Sequence, residues 1–224
     1  MGYLLKTAWW KWLCVAMLFY TVIAGLLLPV PRLPILNETI RAIHFNVPMW
    51  FGMILLFTGS LVYAIKYLKS SDNRFDTYSY QLANTGILFG ILGLLSGMVW
   101  ANYTWGEPWS NDPKQNASVV SMLIYLAYFV LRGSIQDEQQ KNRISAVYNI
   151  FAFFLMIPLL FILPRLSDSL HPGNGGNPGF NSYDLDSDLR KVFYVAVVGW
   201  TLLGYWMGSI AIRLSLIKQK VDDQ

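Results

Sequence analysis

The sequence predicts an all-α, polytopic membrane protein with six transmembrane helices, and three observations support that prediction. Of its 224 residues, 54% are hydrophobic, and the mean hydropathy is +0.39. Only 13% are charged, about half of the roughly 25% usual in soluble domains. Six stretches without Lys, Arg, Asp or Glu are long enough to cross a bilayer, which takes about 20 apolar residues. Such a composition excludes a disordered chain, a nucleic-acid-binding domain and most soluble enzymes.

The six uncharged stretches follow one another along the whole chain, so we expect one domain covering residues 1–224. They are residues 12–31, 42–65, 77–106, 115–131, 144–164 and 192–212. Open strands cannot cross lipid, and barrel strands of about ten residues would not leave such long uncharged runs. The first stretch is too long for a typical signal peptide and lacks a clear cleavage site, so we expect an uncleaved anchor.

The positive charges predict the orientation of the bundle. Six helices put both termini on one side of the membrane, and that side carries 11 of the 17 Lys and Arg residues. The positive-inside rule therefore places both termini in the cytoplasm. The net charge of +4 follows from this excess and indicates no nucleic-acid partner. The 11 residues are Lys6, Lys11, Lys66, Lys69, Arg74, Arg132, Lys141, Arg143, Arg213, Lys218 and Lys220.

The loops on the two sides differ in chemistry. The cytoplasmic loops 66–76 and 132–143 are short and charged, and we expect them to be solvated connectors. The outer loops, about 31–47, 103–116 and 165–191, hold both histidines, a tryptophan-rich run and a Gly- and Pro-rich run. We therefore expect the function to reside on the outer face.

Four glycines in the third stretch share one helix face. Gly86, Gly90, Gly93 and Gly97 fall within an arc of about 60° at 100° per residue. Small residues on one face allow helix backbones to approach closely, which predicts a packing surface. The alternative is a smooth groove for a flat ligand.

The two histidines, His44 and His171, both fall in outer loops, and imidazole is a strong ligand for iron, copper or zinc. A zinc site needs three or four ligands. The single cysteine, Cys14, lies in the first stretch, where we expect a small buried apolar residue. Haem needs only two axial ligands and apolar walls, so the two histidines fit haem better. The alternative is two interfacial histidines bonded to backbone or water.

A tryptophan-rich run occupies the second outer loop. An interfacial aromatic belt would explain single tryptophans, but not Trp105 and Trp109 around Gly106 with Asn-Asp-Pro following. Glycine between two indoles permits a tight backbone turn. Asp112 and Pro113 are also typical of an N-cap and first helical residue, which would begin the fourth helix.

The run 105–112, Trp-Gly-Glu-Pro-Trp-Ser-Asn-Asp, resembles the WWD signature of haem-handling proteins in cytochrome c maturation. Six helices, His44 before the second helix and His171 in the last long loop are similar to the haem exporter protein C family, CcmC, also described as CcsA-like. Residues 44–50 resemble that family's His-x-Pro-x-x-Trp-like pattern, and the Leu170-His171 pair is similar too. Asn111 stands where the family pattern has a further tryptophan.

The resemblance implies the roles of several residues. His44 and His171 would be the axial ligands of a non-covalently held haem b. The WWD loop would form an apolar platform and a docking surface for the periplasmic haem chaperone CcmE. It would contribute Trp105, Gly106, Trp109 and Asp112.

The resemblance also implies partners and a location. They are the lipid bilayer of the bacterial inner membrane, the ABC transporter subunits CcmA and CcmB, and the small helper CcmD. The function it implies is haem binding at the outer face and delivery to the chaperone.

A haem at the outer face needs a partner for its propionates, and guanidinium matches carboxylate geometry. Arg41, three residues before His44, is the best candidate, ahead of Arg32 and Arg165. The alternative for Arg41 is a loop arginine at the lipid headgroups.

The competing function is a permease-like or structural subunit of a transporter without its own haem. No nucleophile–base–acid constellation indicates an enzyme.

Overall fold

A computed structural model describes residues 2–33, 35–171 and 185–222 of the chain. Within these ranges the regular structure is entirely helical. The long helices are α1 Gly2–Leu27, α2 Asn46–Ser70, α3 Asn73–Trp105, α4 Pro113–Ser134, α5 Glu138–Ile157 and α6 Ser187–Asp222. Each contributes a segment long and apolar enough to cross a membrane. The predicted all-α fold with six membrane-spanning helices is confirmed.

Shorter helical segments continue the bundle at one end. A 3-10 helix, Asn37–His44, precedes α2, and a π-helical turn, Pro158–Ile162, runs from α5 into the 3-10 turn Leu163–Arg165. These segments belong to regions that the sequence assigned to loops or helix ends. Uncharged runs measure apolar length, and they carry no signal for 3-10 or π geometry.

The beginning of α4 agrees with the sequence prediction. Asp112 is its N-cap, and its carboxylate accepts the Lys114 backbone N–H at 2.8 Å. Pro113 occupies the first turn, where its missing N–H costs nothing.

The glycine stripe of α3 is a packing surface, as predicted. A Cβ on Gly86 would lie 2.7 Å from the Phe57 ring of α2, and one on Gly93 would lie 3.0 Å from the Trp50 indole. Phe57 is itself stacked on Tyr125 of α4, with ring centroids 3.6 Å apart. Side chains of α2, together with Met122 of α4 at Gly90, therefore fill this face, and among the described residues they leave no space there for a flat ligand.

Helix α1 packs on α6 through small residues. Cys14 is fully buried, and its thiol lies 3.5 Å from the Gly199 carbonyl oxygen. This confirms the expectation that Cys14 is a small buried residue.

A buried polar cluster links α2, α3 and α5. Ser60 and Ser79 exchange hydrogen bonds from each hydroxyl to the other's carbonyl, at 2.6 and 2.9 Å. The Asn149 amide donates to both hydroxyls, at 2.7 and 2.9 Å. Polar side chains that bond across helices in this way fix which helices are neighbours.

The expectation of solvated cytoplasmic connectors is wrong for two of their charged residues. Arg132 of α4 forms a two-pronged ion pair with Asp76 of α3, and the two side chains are only 13% and 9% exposed. Arg132 also donates to Asn142 of α5 at 3.2 Å. A charge count treats every Lys, Arg, Asp or Glu as solvated. It therefore cannot detect a buried ion pair between two helices.

Candidate functional site

Helices α1, α3 and α5 end, and α2, α4 and α6 begin, at the same end of the bundle, the loop end. It carries the segments 28–45, 106–112 and 158–186, of which 172–184 and residue 34 lie outside the described residues. A hydroxyl contact of 3.0 Å between Thr39 and Thr104 ties the first segment to the end of α3. The sequence-predicted site residues all lie at this end.

Asp112 joins the second loop to the third. Its side chain is only 1% exposed. Besides capping α4, it accepts the Leu170 backbone N–H at 2.7 Å and the Ser169 hydroxyl at 3.0 Å. The same carboxylate lies 3.0 Å from Nδ1 of His171. One buried carboxylate thus receives groups from three consecutive residues of the third loop.

The charge state of Asp112 determines which ring nitrogen of His171 carries the proton. Burial would raise the pKa of the Asp112 carboxyl, but the hydrogen bonds from His171, Leu170 and Ser169 outweigh burial. They hold the pKa well below its usual range, so the group is a carboxylate at neutral pH. A carboxylate only accepts hydrogen bonds. Nδ1–H of His171 is therefore the donor in this contact.

Trp105 contacts the His171 ring at the end of α3. The two rings meet edge to face, with centroids 4.9 Å apart at 68°. Gly106 follows with φ +86°, a left-handed conformation that ends α3 and turns the chain into the loop. Trp109 is partly exposed in the same loop. The tight turn predicted at Gly106 is confirmed.

Asn111 adopts a backbone conformation that suits asparagine. Its φ is +56°, in the left-handed region. Asparagine tolerates that region much better than a bulky residue does. A tryptophan at this position would be strained in the backbone that brings Asp112 to the third loop.

His44 lies in a second group, formed with α1 and α6. Its side chain is buried, the residue being 2% exposed, and a Cβ on Gly25 of α1 would lie 3.3 Å from its ring. Its carbonyl oxygen accepts the indole N–H of Trp200 at 3.3 Å. Its Nδ1 is buried and has no hydrogen-bond partner among the described residues.

Arg41 is held by the end of α1. Its guanidinium donates to the carbonyl oxygens of Gly25 and Leu28, at 3.1 and 2.7 Å, and to Glu38 at 2.7 Å. Carbonyls at a helix C-terminus lack partners within the helix, and a cation there is favourable. Arg41 therefore has a structural role, and its pairing with a propionate stays a prediction.

The structure brings three predicted residues into contact, namely Trp105, Asp112 and His171, and places His44 with Arg41 in a separate group. Two residues that the sequence did not indicate take part. The Ser169 hydroxyl donates to Asp112, and the Trp200 indole donates to the His44 carbonyl oxygen. Both contacts join positions far apart in the chain, and no local pattern signals them.

Across residues 2–33, 35–171 and 185–222, no three His, Cys, Asp or Glu side chains come together as a metal-ion site. The chemistry available at the loop end is that of two separate imidazoles with aromatic neighbours. Two nitrogen ligands match the axial positions of haem iron.

The fold and this site define a multi-pass helical membrane protein with two histidine groups at one end of the bundle. The family model described as "Cytochrome C assembly protein" matches residues 7–171, which include both histidines and the tryptophan-rich loop. The chain belongs to this family.

Curated relatives agree with the family. The cytochrome c biogenesis protein CcsA of Pelargonium hortorum is 38% identical over 93 residues, 41% of this chain and 29% of the relative. The CcsA protein of Prochlorococcus marinus (strain SARG) is 37% identical over 86 residues, 38% of this chain and 27% of the relative. That of Chlamydomonas reinhardtii is 30% identical over 128 residues, 52% and 36% of the two chains. The chain thus matches about a third or less of the length of these relatives.

Proposed function

We propose that this protein binds haem b non-covalently at the loop end and passes it to an acceptor during cytochrome c maturation. The observation that carries the proposal is the cluster of Asp112, His171 and Trp105. The buried Asp112 carboxylate lies 3.0 Å from Nδ1 of His171, and the centroids of the His171 and Trp105 rings lie 4.9 Å apart. Membership of a cytochrome c assembly family supports the same conclusion.

The residues present fit haem as the bound group. Haem iron has two axial positions that protein side chains can fill, and the chain has two histidines, both at the loop end. Nε2 of His171 makes no hydrogen bond with the described residues, and Nδ1 of His44 is buried without a partner among them. A buried ring nitrogen without a partner is uncommon and points to a missing ligand.

The other predicted site residues have proposed tasks beside those of the cluster. His44 and His171 hold the iron, and the indoles of Trp105 and Trp109 cover the porphyrin and exclude water. Gly106 lets the loop turn between those indoles. Arg41 pairs with a propionate through guanidinium N–H groups other than the Nη1 group that binds the Gly25 and Leu28 carbonyls.

The orientation and location are part of the proposal. The excess of Lys and Arg beside the termini supports a cytoplasmic position for both termini and a periplasmic loop end. A bacterial inner membrane is proposed from the resemblance to the haem exporter protein C family. The chaperone CcmE and the subunits CcmA, CcmB and CcmD are proposed as partners on that resemblance alone.

A haem titration of the purified protein tests the proposal. We expect saturable binding with a low-spin spectrum of two axial imidazoles, because the loop end provides two histidines. The absence of such a spectrum from the intact wild-type protein would contradict it. That result would favour a permease-like or structural subunit without its own haem.

A further inference from the structure

We infer that Asp112 is a positioning residue that fixes His171 with Nε2 as its only nitrogen available to iron, a role that rests on the proposed haem binding. The residue has a different task from the one implied by the resemblance. There it is part of a platform that touches the porphyrin. In the structure its carboxylate is buried and holds Ser169 and Leu170 of the third loop.

The burial of Asp112 separates it from any large ligand. The side chain is 1% exposed, and its two oxygens receive four donors from Lys114, Ser169, Leu170 and His171. A planar ligand cannot reach a carboxylate enclosed in this way. Asp112 therefore acts through the groups that it holds.

The contact with His171 selects one tautomer of the ring. Because the carboxylate only accepts, the proton lies on Nδ1, and Nε2 keeps its lone pair. Metal-ligating histidines commonly donate their other N–H to a carboxylate, which fixes the ring and makes it a stronger ligand. The arrangement is thus the one expected behind a metal-bound histidine.

The same carboxylate fixes the backbone that carries the ring. The Leu170 N–H and the Ser169 hydroxyl both bind Asp112, and the backbone N–H of His171 donates to the Ser169 hydroxyl at 3.1 Å. Trp105, the last residue of α3, limits rotation of the His171 ring through its edge-to-face contact. His171 is nevertheless 33% exposed in its side chain, so a ligand can reach it.

His44 shows that this arrangement is specific to one histidine. Its Nδ1 has no hydrogen-bond partner, carboxylate or otherwise, in the part of the chain that the structure describes. Loss of the Asp112 carboxylate should therefore alter His171 and leave His44 unchanged.

The substitution Asp112→Asn separates positioning from helix capping. Asparagine caps a helix about as well as aspartate, but its single amide oxygen cannot receive four donors. We expect haem affinity to fall about 10- to 100-fold, the usual effect of losing such an outer partner. We also expect the midpoint potential of the bound haem to rise, because the imidazole becomes a weaker electron donor.

The matched control is Asp137→Asn. Asp137 caps α5 at the opposite end of the bundle and accepts the Gln140 N–H at 2.7 Å. We expect this variant to keep the wild-type affinity and potential. A purely structural role for Asp112 would lower thermal stability but leave the potential of the remaining bound haem unchanged, and that outcome overturns the inference.

A second measurement uses the haem-free protein. Nitrogen NMR of labelled histidine should show His171 in the Nδ1–H tautomer in the wild type and a mixture in Asp112→Asn. Wild-type affinity and potential in Asp112→Asn would overturn the positioning role and leave the proposed function standing. A wild-type protein that binds no haem would overturn both.

Discussion

At the scale of single residues, the two histidines have opposite surroundings. His44 is buried against Gly25 of α1, whereas His171 is partly exposed and held by Asp112. The sequence presented them as equivalent outer-loop residues, because burial and partners are properties of the fold. Asp112 as an N-cap was predictable from the Asp-Pro pair, since capping is local. Its contact with a histidine 59 positions later has no local signal.

The indoles of the second loop should control how firmly haem is held. We expect the double substitution Trp105→Ala and Trp109→Ala to weaken haem retention by roughly tenfold or more, because water then reaches the iron and the edge contact of about 0.5–1.5 kcal/mol with His171 is lost. Haem release to excess apomyoglobin measures this. Tyr103→Ala is the control, since Tyr103 is an aromatic residue of the same region that is 75% exposed. Equal release rates in the double variant and wild type would refute the platform role.

At the scale of elements, helix packing follows from residue size more than from hydrophobicity. The stripe of glycines on α3 predicted close packing, and α2 fills it with Phe57 and Trp50. The buried pair of Asp76 and Arg132 was not predictable, because pairing depends on which helices become neighbours. Periodicity along one helix reports a face, and it does not report the partner of that face.

Gly86→Ala should destabilise the bundle by about 1–3 kcal/mol, the usual cost of overpacking. The new Cβ would meet Phe57 at 2.7 Å, and Phe57 cannot retreat because it is stacked on Tyr125. Thermal unfolding in detergent measures the change. Gly133→Ala in α4 is the control, since its Cβ would meet nothing within 4 Å. Replacing that glycine should leave stability unchanged or raise it. A Gly86→Ala protein as stable as wild type would contradict the packing argument.

At the scale of the whole molecule, sparse charge predicted six membrane-spanning helices correctly. Bilayer thickness imposes a minimum apolar length, so this feature can be read directly from sequence. The shape of the loop end could not be predicted. It depends on 3-10 and π segments and on contacts such as that between Thr39 and Thr104, 65 positions apart.

The orientation can be tested with cysteine labelling, because the native Cys14 is fully buried. We expect Glu107→Cys, in the second loop of the loop end, to react with a membrane-impermeant maleimide in intact cells. Gln139→Cys, exposed at the opposite end near the start of α5, should react only after the membrane is opened. The reverse pattern would place the termini outside and contradict the positive-inside argument.

The central claim is that two histidines at the loop end hold haem, and the absorption spectrum of the reconstituted double variant tests it most directly. Replacing the buried His44 with alanine leaves a cavity. The spectrum is therefore also recorded with added imidazole, which can occupy that cavity and ligate the iron. We predict that wild-type protein gives a low-spin spectrum of two axial imidazoles. The double variant with His171→Ala should lose it, and imidazole should restore it in part. A double variant that keeps the wild-type spectrum without added imidazole would contradict the account.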